Sequence, residues 1–101
     1  MNVTEAISKI PDRVRAGIAW LDGNEPGWRG VVNPDELKVQ SLCNCVLGQV
    51  FGFAGLAQTG LARNERVDLG FWHDKDEVGN DKGADEYYAG LDAEWRRVLA
   101  G

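Results

Sequence analysis

Cys43 and Cys45 stand one residue apart in the stretch SLCNCVLGQVFGFAG, residues 41–55, and they are the only thiols in the chain. Paired cysteines hold zinc, close a disulfide or supply a thiolate nucleophile, and each role demands its own geometry. The apolar pattern from Leu42 to about Thr59 predicts a helix, although Gly52 or Gly55 is placed to break it. On such a helix residues i and i+2 never share a face, so the two sulfurs point about 160° apart. Zinc also needs two further ligands, and the single histidine, His73, lies far off in sequence with no cysteine beside it. A Cys43–Cys45 disulfide would need the helix unwound and strained. A reactive thiolate needs a base and a positive setting, whereas Cys43 among Val46 and Val50 would have its pKa raised by burial. The expectation is core sulfur: Cys43 as a small apolar residue and Cys45 at the margin of the helix face. A non-helical Leu42–Cys45 would favour the alternative, a metal or small-ligand protein using Cys43, Cys45 and His73.

The second chemical candidate is the acidic run HDKDEVGNDKGADE, residues 73–86. Asp74, Asp76 and Gly79 match the first, third and sixth positions of a calcium-binding loop. Val78 occupies the fifth, where an oxygen ligand belongs, and Asp85 stands where a bidentate Glu is wanted. A solvated acidic loop is the expectation. His73 beside Asp74 and Asp76 has neighbours that would raise its pKa, yet no Ser or Cys is placed to complete a catalytic set. The chain has no phosphate-cradling glycine loop, no G-x-S-x-G and no H-E-x-x-H. No catalytic residue is nominated, no cofactor is called for, and the protein is expected not to be an enzyme.

Two features suit partner binding. On the predicted helix Gly48, Gly52 and Gly55 fall within about 60° of one another and leave one side without bulk. That side either packs closely against another helix or forms a shallow groove with Asn44 and Gln49 at its edges. The four tryptophans are the other feature. Trp95 falls on a clear apolar stripe, while Trp20, Trp28 and Trp72 do not. Two of these three should complete the core, and one left at the surface would be a contact anchor. The contact surface predicted is Trp28, Trp72, Gly48, Gly52 and Asn44.

The elements that must position these residues are helical. Val3, Ile7, Ile10, Val14, Ile18 and Leu21 recur at steps of three and four and predict a helix over about 4–22. Pro11 inside it predicts a kink, or two short helices meeting at Ile10. DGNEPGWRG, residues 22–30, is a turn. NPDEL reads as a helical turn capped by Asn33, followed by extended Val39 and Gln40 and a second cap at Ser41. Residues 63–68 read as charged linker, LGFW at 69–72 is too short to classify, and 73–83 form a polar loop. Asp85–Leu99 is the clearest helix, with Tyr87, Leu91, Trp95 and Val98 on one face. The fold class predicted is all-α: one domain, residues 1–101, with about three main helices plus short helical turns. A minor two-strand element near Val39 or Leu69 is compatible with the pattern.

A formal charge of −5 over 101 residues argues against a nucleic-acid-binding face. No apolar run approaches the length of a membrane span. The start, Met-Asn-Val-Thr-Glu-Ala, has no basic region ahead of an apolar run, so no signal peptide is expected, and the expected setting is the cytoplasm with reduced thiols.

The segments AGIAWLDGNEPGW, CNCVLGQVFG, LGF and YAGLDAEWRRVL together resemble a group of small, mostly uncharacterised proteins from actinobacteria and their bacteriophages. These share a W-L-D segment, a C-x-C-V-L-G-Q segment and a final helix carrying A-x-W. The resemblance spans most of the chain, least over 73–83, and brings no catalytic or ligand-binding residues with it. It implies a phage or actinobacterial setting. The expectation is a small helical interaction module, a phage-type accessory protein that binds a host protein. An acidic nucleic-acid mimic is a further reading, weakened by Arg13, Arg15, Arg96 and Arg97, which interrupt the carboxylates.

Overall fold

The computed structural model describes residues 3–41, 43–55 and 59–101, with only the backbone of 53–55. The described residues form seven helices and no strand: α1 (Val3–Ser8), α2 (Ile10–Asn24), α3 (Trp28–Val31), α4 (Val46–Gly55), α5 (Arg63–Asp68), α6 (Lys75–Val78) and α7 (Asp81–Ala100). Three are substantial, α2, α4 and α7, and the all-α class is as the apolar spacing predicts.

Pro11 does what its missing N–H requires. It sits in the first turn of α2, where no donor is needed, and α1 and α2 meet around Lys9 and Ile10. Ile10, Val14 and Leu21 are buried, whereas Val3, Ile7 and Ile18 pack at the edge of the core. Trp20, off this stripe, meets Phe51 and Phe71 edge-to-face at 6.0 and 6.2 Å.

The core centres on Trp95 of α7. Its ring stacks on Phe71 at 5.5 Å and meets Trp28 edge-on at 6.0 Å. Its indole N–H donates to the Gly70 carbonyl at 2.8 Å. The chain reaches Gly70 through a Schellman ending of α5: Gly70 N–H donates to the Val67 carbonyl and Phe71 N–H to the Arg66 carbonyl, with Gly70 at φ +77°. Residues 69–70 then cross α2 at contact distance. A Cβ on Gly17 would collide with the Leu69 carbonyl oxygen, and one on Gly70 would press on the backbone of Val14. The LGF segment is thus a crossing strap, with no strand pairing.

Trp28 is held from both sides. Its indole N–H donates to Asp22 at 2.9 Å, and the Arg29 guanidinium lies over its ring at 5.0 Å. Gly27 at φ +91° supplies the bend that turns the tryptophan back onto α2. The W-L-D…P-G-W pattern therefore encodes a folded-back anchor.

The loop from Val32 to Gln40 is irregular apart from turns at 34–36 and 39–40, and the turn predicted for NPDEL is present: the Glu36 N–H donates to the Asn33 carbonyl, the Leu37 N–H to the Pro34 carbonyl, and Asn33 Oδ1 accepts from the Asp35 N–H. The extended Val39–Gln40 is likewise a turn. Leu37 and Val39 are buried because α7 fastens their backbone: Asp92 accepts from the Val39 N–H, and Arg96 donates to the Leu37 and Pro34 carbonyls.

Residues 63–83 hold more helix than their polarity suggests. Glu65 accepts from the Ala62 N–H at the start of α5, Asp74 caps α6 by accepting from the Asp76 N–H, and Asn80 caps α7 by accepting from the Gly83 N–H. The predicted linker at 63–68 and the loop at 73–83 are corrected accordingly. α7 begins at Asp81, four residues before the predicted start. Glu77 is no solvated acid either. It is buried and takes two hydrogen bonds from Arg13 at 2.8 Å and one from Lys9 at 3.2 Å, while Arg13 also donates to the Tyr87 hydroxyl.

Two predictions follow from this geometry. Gly17→Ala should lower stability by about 2–3 kcal/mol, because backbone must move to admit the methyl group. Gly23→Ala, exposed on the same helix with open space at its Cβ, should hold or gain up to about 1 kcal/mol. Urea midpoints decide it: equal midpoints for Gly17→Ala and wild type would refute the crossing. The second concerns Glu77. Burial pushes its carboxyl up, and the hydrogen bonds from Arg13 and Lys9 override this, leaving its pKa below the ordinary 4.5. A depressed carboxylate stabilises above its unfolded pKa and loses that contribution as pH falls through its folded pKa. Glu77→Gln should therefore cost about 2 kcal/mol at pH 7, with the gap to wild type closing below about pH 4. A gap that stays constant down to pH 3 would show that the carboxylate charge contributes nothing.

Candidate functional site

The cysteine segment departs from its expected helix. Leu42 lies outside the described residues, Cys43 and Asn44 are in a turn, and α4 starts only at Val46. Ser41 organises the turn: its hydroxyl accepts from the Asn44 N–H and its carbonyl from the Cys45 N–H. The thiol roles reverse as a result. Cys43 is exposed, while Cys45 is buried at the start of α4 with its sulfur accepting from the Gly48 N–H at 3.2 Å. Burial pushes the Cys45 thiol up, against the pull of the Gly48 and Leu47 N–H groups. Sulfur here is a helix cap. Neither cysteine is in a disulfide, and among the described residues no group of three His, Cys, Asp or Glu side chains could hold a metal ion. The non-helical turn thus leaves the Cys43, Cys45 and His73 set unassembled.

The expected glycine face does not form either. Gly48 is buried, but Gly52 adopts φ +75° and ψ 164°, which kinks α4 and turns the chain out of helical register. The expected continuation through residues 56–58 lies outside the described residues. Asn44 is exposed. Gln49 is not free to edge a groove, since its amide accepts from the Asn33 N–H at 2.6 Å and donates to the Asn44 carbonyl at 2.9 Å. It ties two loops together, and the C-x-C-V-L-G-Q segment reads as a structural brace.

Of the tryptophans nominated for contact, Trp28 is 1% exposed and belongs to the core. Its hydrogen bond to Asp22 removes the polar cost of burial, which periodicity could not show. Trp72 is partly exposed at the surface. Its ring lies 5.6 Å from that of His73 and meets Tyr88 edge-on at 6.2 Å. The Tyr88 hydroxyl is 2.5 Å from His73 Nδ1. Burial raises the Tyr88 pKa, so the phenol keeps its proton and shares one hydrogen bond with Nδ1. His73 is pushed below the ordinary histidine value, first by burial, then by the Arg63 cation, with Lys75 adding and Asp74 opposing. This reverses the direction expected from Asp74 and Asp76 alone. No local spacing signals that Arg63 and Tyr88 are brought to His73.

Beside this aromatic cluster opens a cleft of about 440 Å³. It is lined by Arg63, Asn64 and Val67 of α5 and by His73, Asp74, Lys75 and Asp76. Across α6 a second opening of about 330 Å³ shares His73, Lys75 and Asp76 and continues along Val78 and Ala84. His73 therefore sits where two surface depressions meet.

The chain matches no protein-family model, no curated protein and no solved structure. No helix among the described residues is long and apolar enough to cross a membrane.

The thiol assignment has a direct check. In native buffer iodoacetamide should modify Cys43 at least about tenfold faster than Cys45, and both equally in urea. Peptide mass mapping reads this out. Equal native rates would contradict a capped, buried Cys45.

Proposed function

We propose that the protein is a small helical interaction module that takes a protein partner on the face formed by Trp72, His73 and the adjoining cleft. The observation that carries this reading is Trp72 itself: a partly exposed indole braced by Tyr88 and by His73, which lines an open depression. A large aromatic side chain whose rotamer is already fixed loses little entropy on contact and buries much apolar area, which is why tryptophans recur as interface anchors. The proposed surface keeps Trp72 from the sequence expectation and replaces Trp28 and the glycine face with the cleft between α5 and α6. The resemblance to small actinobacterial and phage proteins supports a host protein as the partner and a cytoplasmic setting.

Trp72→Ala tests the reading. The variant should keep the wild-type far-ultraviolet circular dichroism and urea midpoint within about 1 kcal/mol, because the side chain is only partly buried. On an affinity column it should release a discrete host protein that the wild type retains. Undiminished retention by a folded Trp72→Ala variant would remove this face from consideration.

A further inference from the structure

A second surface, sharing no residue with Trp72 or its cleft, runs along the outer side of α7. An apolar groove of about 280 Å³ opens there between the α1–α2 junction and α7. Ile7, Ile10 and Pro11 line it together with Gly90 and Ala93, and Glu94 and Arg97 supply its polar atoms. A Cβ at residue 90 would stand 2.8 Å from Ile10 Cδ1, so the groove exists because α7 carries no side chain at that point. Pro11 and Ala93 are exposed. At 100° per residue Glu86, Gly90, Ala93 and Arg97 fall within about 60° of one another, on the side of α7 away from Leu91 and Trp95.

The charges on this face are complementary to themselves. Glu86 stands four residues before Gly90, and Arg97 stands four residues after Ala93. Both are exposed. Two copies of α7 set antiparallel, Gly90 of each facing Ala93 of the other, therefore bring each Glu86 against the other copy's Arg97. A two-fold axis makes that contact twice. Glu86 forms no ion pair among the described residues. Arg97 holds Glu94 through Nε and Nη2, which leaves its Nη1 hydrogens for a second carboxylate. No like charges meet in this register, because Lys82 falls opposite Gly101 and Glu94 opposite Ala89. A parallel pairing would set Glu86 on Glu86 and Arg97 on Arg97. From this register we propose that the groove docks α7 of a second copy of this chain, antiparallel about a two-fold axis between Gly90 and Ala93.

Shape and size set what kind of dimer this is. Gly90 and Ala93 at the centre let the two axes approach to the near end of the usual 8–10 Å range. The half-buried Ile7 and exposed Pro11 then lose water against the second copy. A helix of 20 residues is about 30 Å long, so the strip covered is narrow. It falls below the roughly 800 Å² per partner of a stable interface, which makes the dimer weak and reversible. The net charge of −5 on each chain opposes association at long range, and only the local register offsets it. At about 150 mM salt the Debye length is about 8 Å, which screens the net charge and spares charges in contact.

The test is sedimentation equilibrium of the whole protein at about 150 mM salt, from roughly 10 to 500 μM, the range in which a weak interface of this size shows. The average mass should climb with concentration from 11.1 kDa towards twice that value. Glu86→Lys and Arg97→Glu each set like charges face to face twice, and each should weaken the dimer at least about tenfold. The double variant restores opposite charges and should recover most of the loss. Ala93→Gln, which keeps a good helix former but holds the axes apart, should also weaken it about tenfold. Glu25→Lys makes the same charge change at an exposed residue that lines none of the groove, and should leave the constant within about twofold of the other parent value, that of wild type. Circular dichroism and urea midpoints confirm that each variant is folded. A chain that stays monomeric at 500 μM overturns the proposal and leaves the groove to a different occupant. A dimer that tolerates both single charge reversals and Ala93→Gln overturns it too, by placing the contact on another face. So does an equal loss in Glu25→Lys, which would reduce the effect to net charge.

Discussion

The hydrogen bond from the Trp95 indole to the Gly70 carbonyl is the constraint around which the rest is arranged. A buried carbonyl without a partner costs about 1–3 kcal/mol, and a buried indole N–H costs a similar amount. Joining the two satisfies both and locks α7 to the strap that crosses α2. The strap approaches α2 closely only because Gly17 and Gly70 carry no side chain. Phe71 then lands flat on Trp95, and Trp28 meets the same ring edge-on. Three segments far apart in sequence are thereby fixed to one aromatic ring.

Two polar networks complete the fastening, and they differ in kind. Asp92 and Arg96, one helical turn apart on α7, grip the backbone of the 34–39 loop. They let a segment with no regular structure bury Leu37 and Val39, whose neighbouring backbone groups would otherwise lack partners. The Lys9–Glu77–Arg13–Tyr87 set works through charge, holding the single turn of α6 against α2. Such a pair stabilises little relative to an apolar replacement, yet losing one partner strands a buried charge. Its consequence is positional: Glu77 pins α6, and α6 carries Lys75 and borders His73, so the core network sets the shape of the surface cleft.

The proposed contact face inherits its rigidity from the same sources. His73 follows the Gly70–Phe71 strap by two residues and leans on Tyr88 of α7, while Arg63 opens α5, whose end is closed by the Schellman turn at Gly70. None of these side chains depends on a long loop for its placement. That arrangement suits recognition by a preformed surface, where little ordering entropy remains to be lost.

By itself the sequence determined the helical class, the division at Pro11, the core role of Trp95 and the face of the last helix. These depend on local spacing and on the missing proline N–H, which act within a few residues. It also marked the glycines, although their uses at Gly17, a close approach, and at Gly52, a kink, could not be told apart by composition. Only the tertiary structure decided that Cys45 caps a helix while Cys43 faces solvent, because one turn around Ser41 replaced a helix that the apolar spacing favoured. The same holds for Glu77 and Trp28, whose burial depends on Arg13 and Asp22 arriving as partners. The cleft at His73 was illegible for the same reason. Arg63, Lys75 and Tyr88 converge through packing of three helices, and the energies that bring them together are long-range in sequence and leave no local signature.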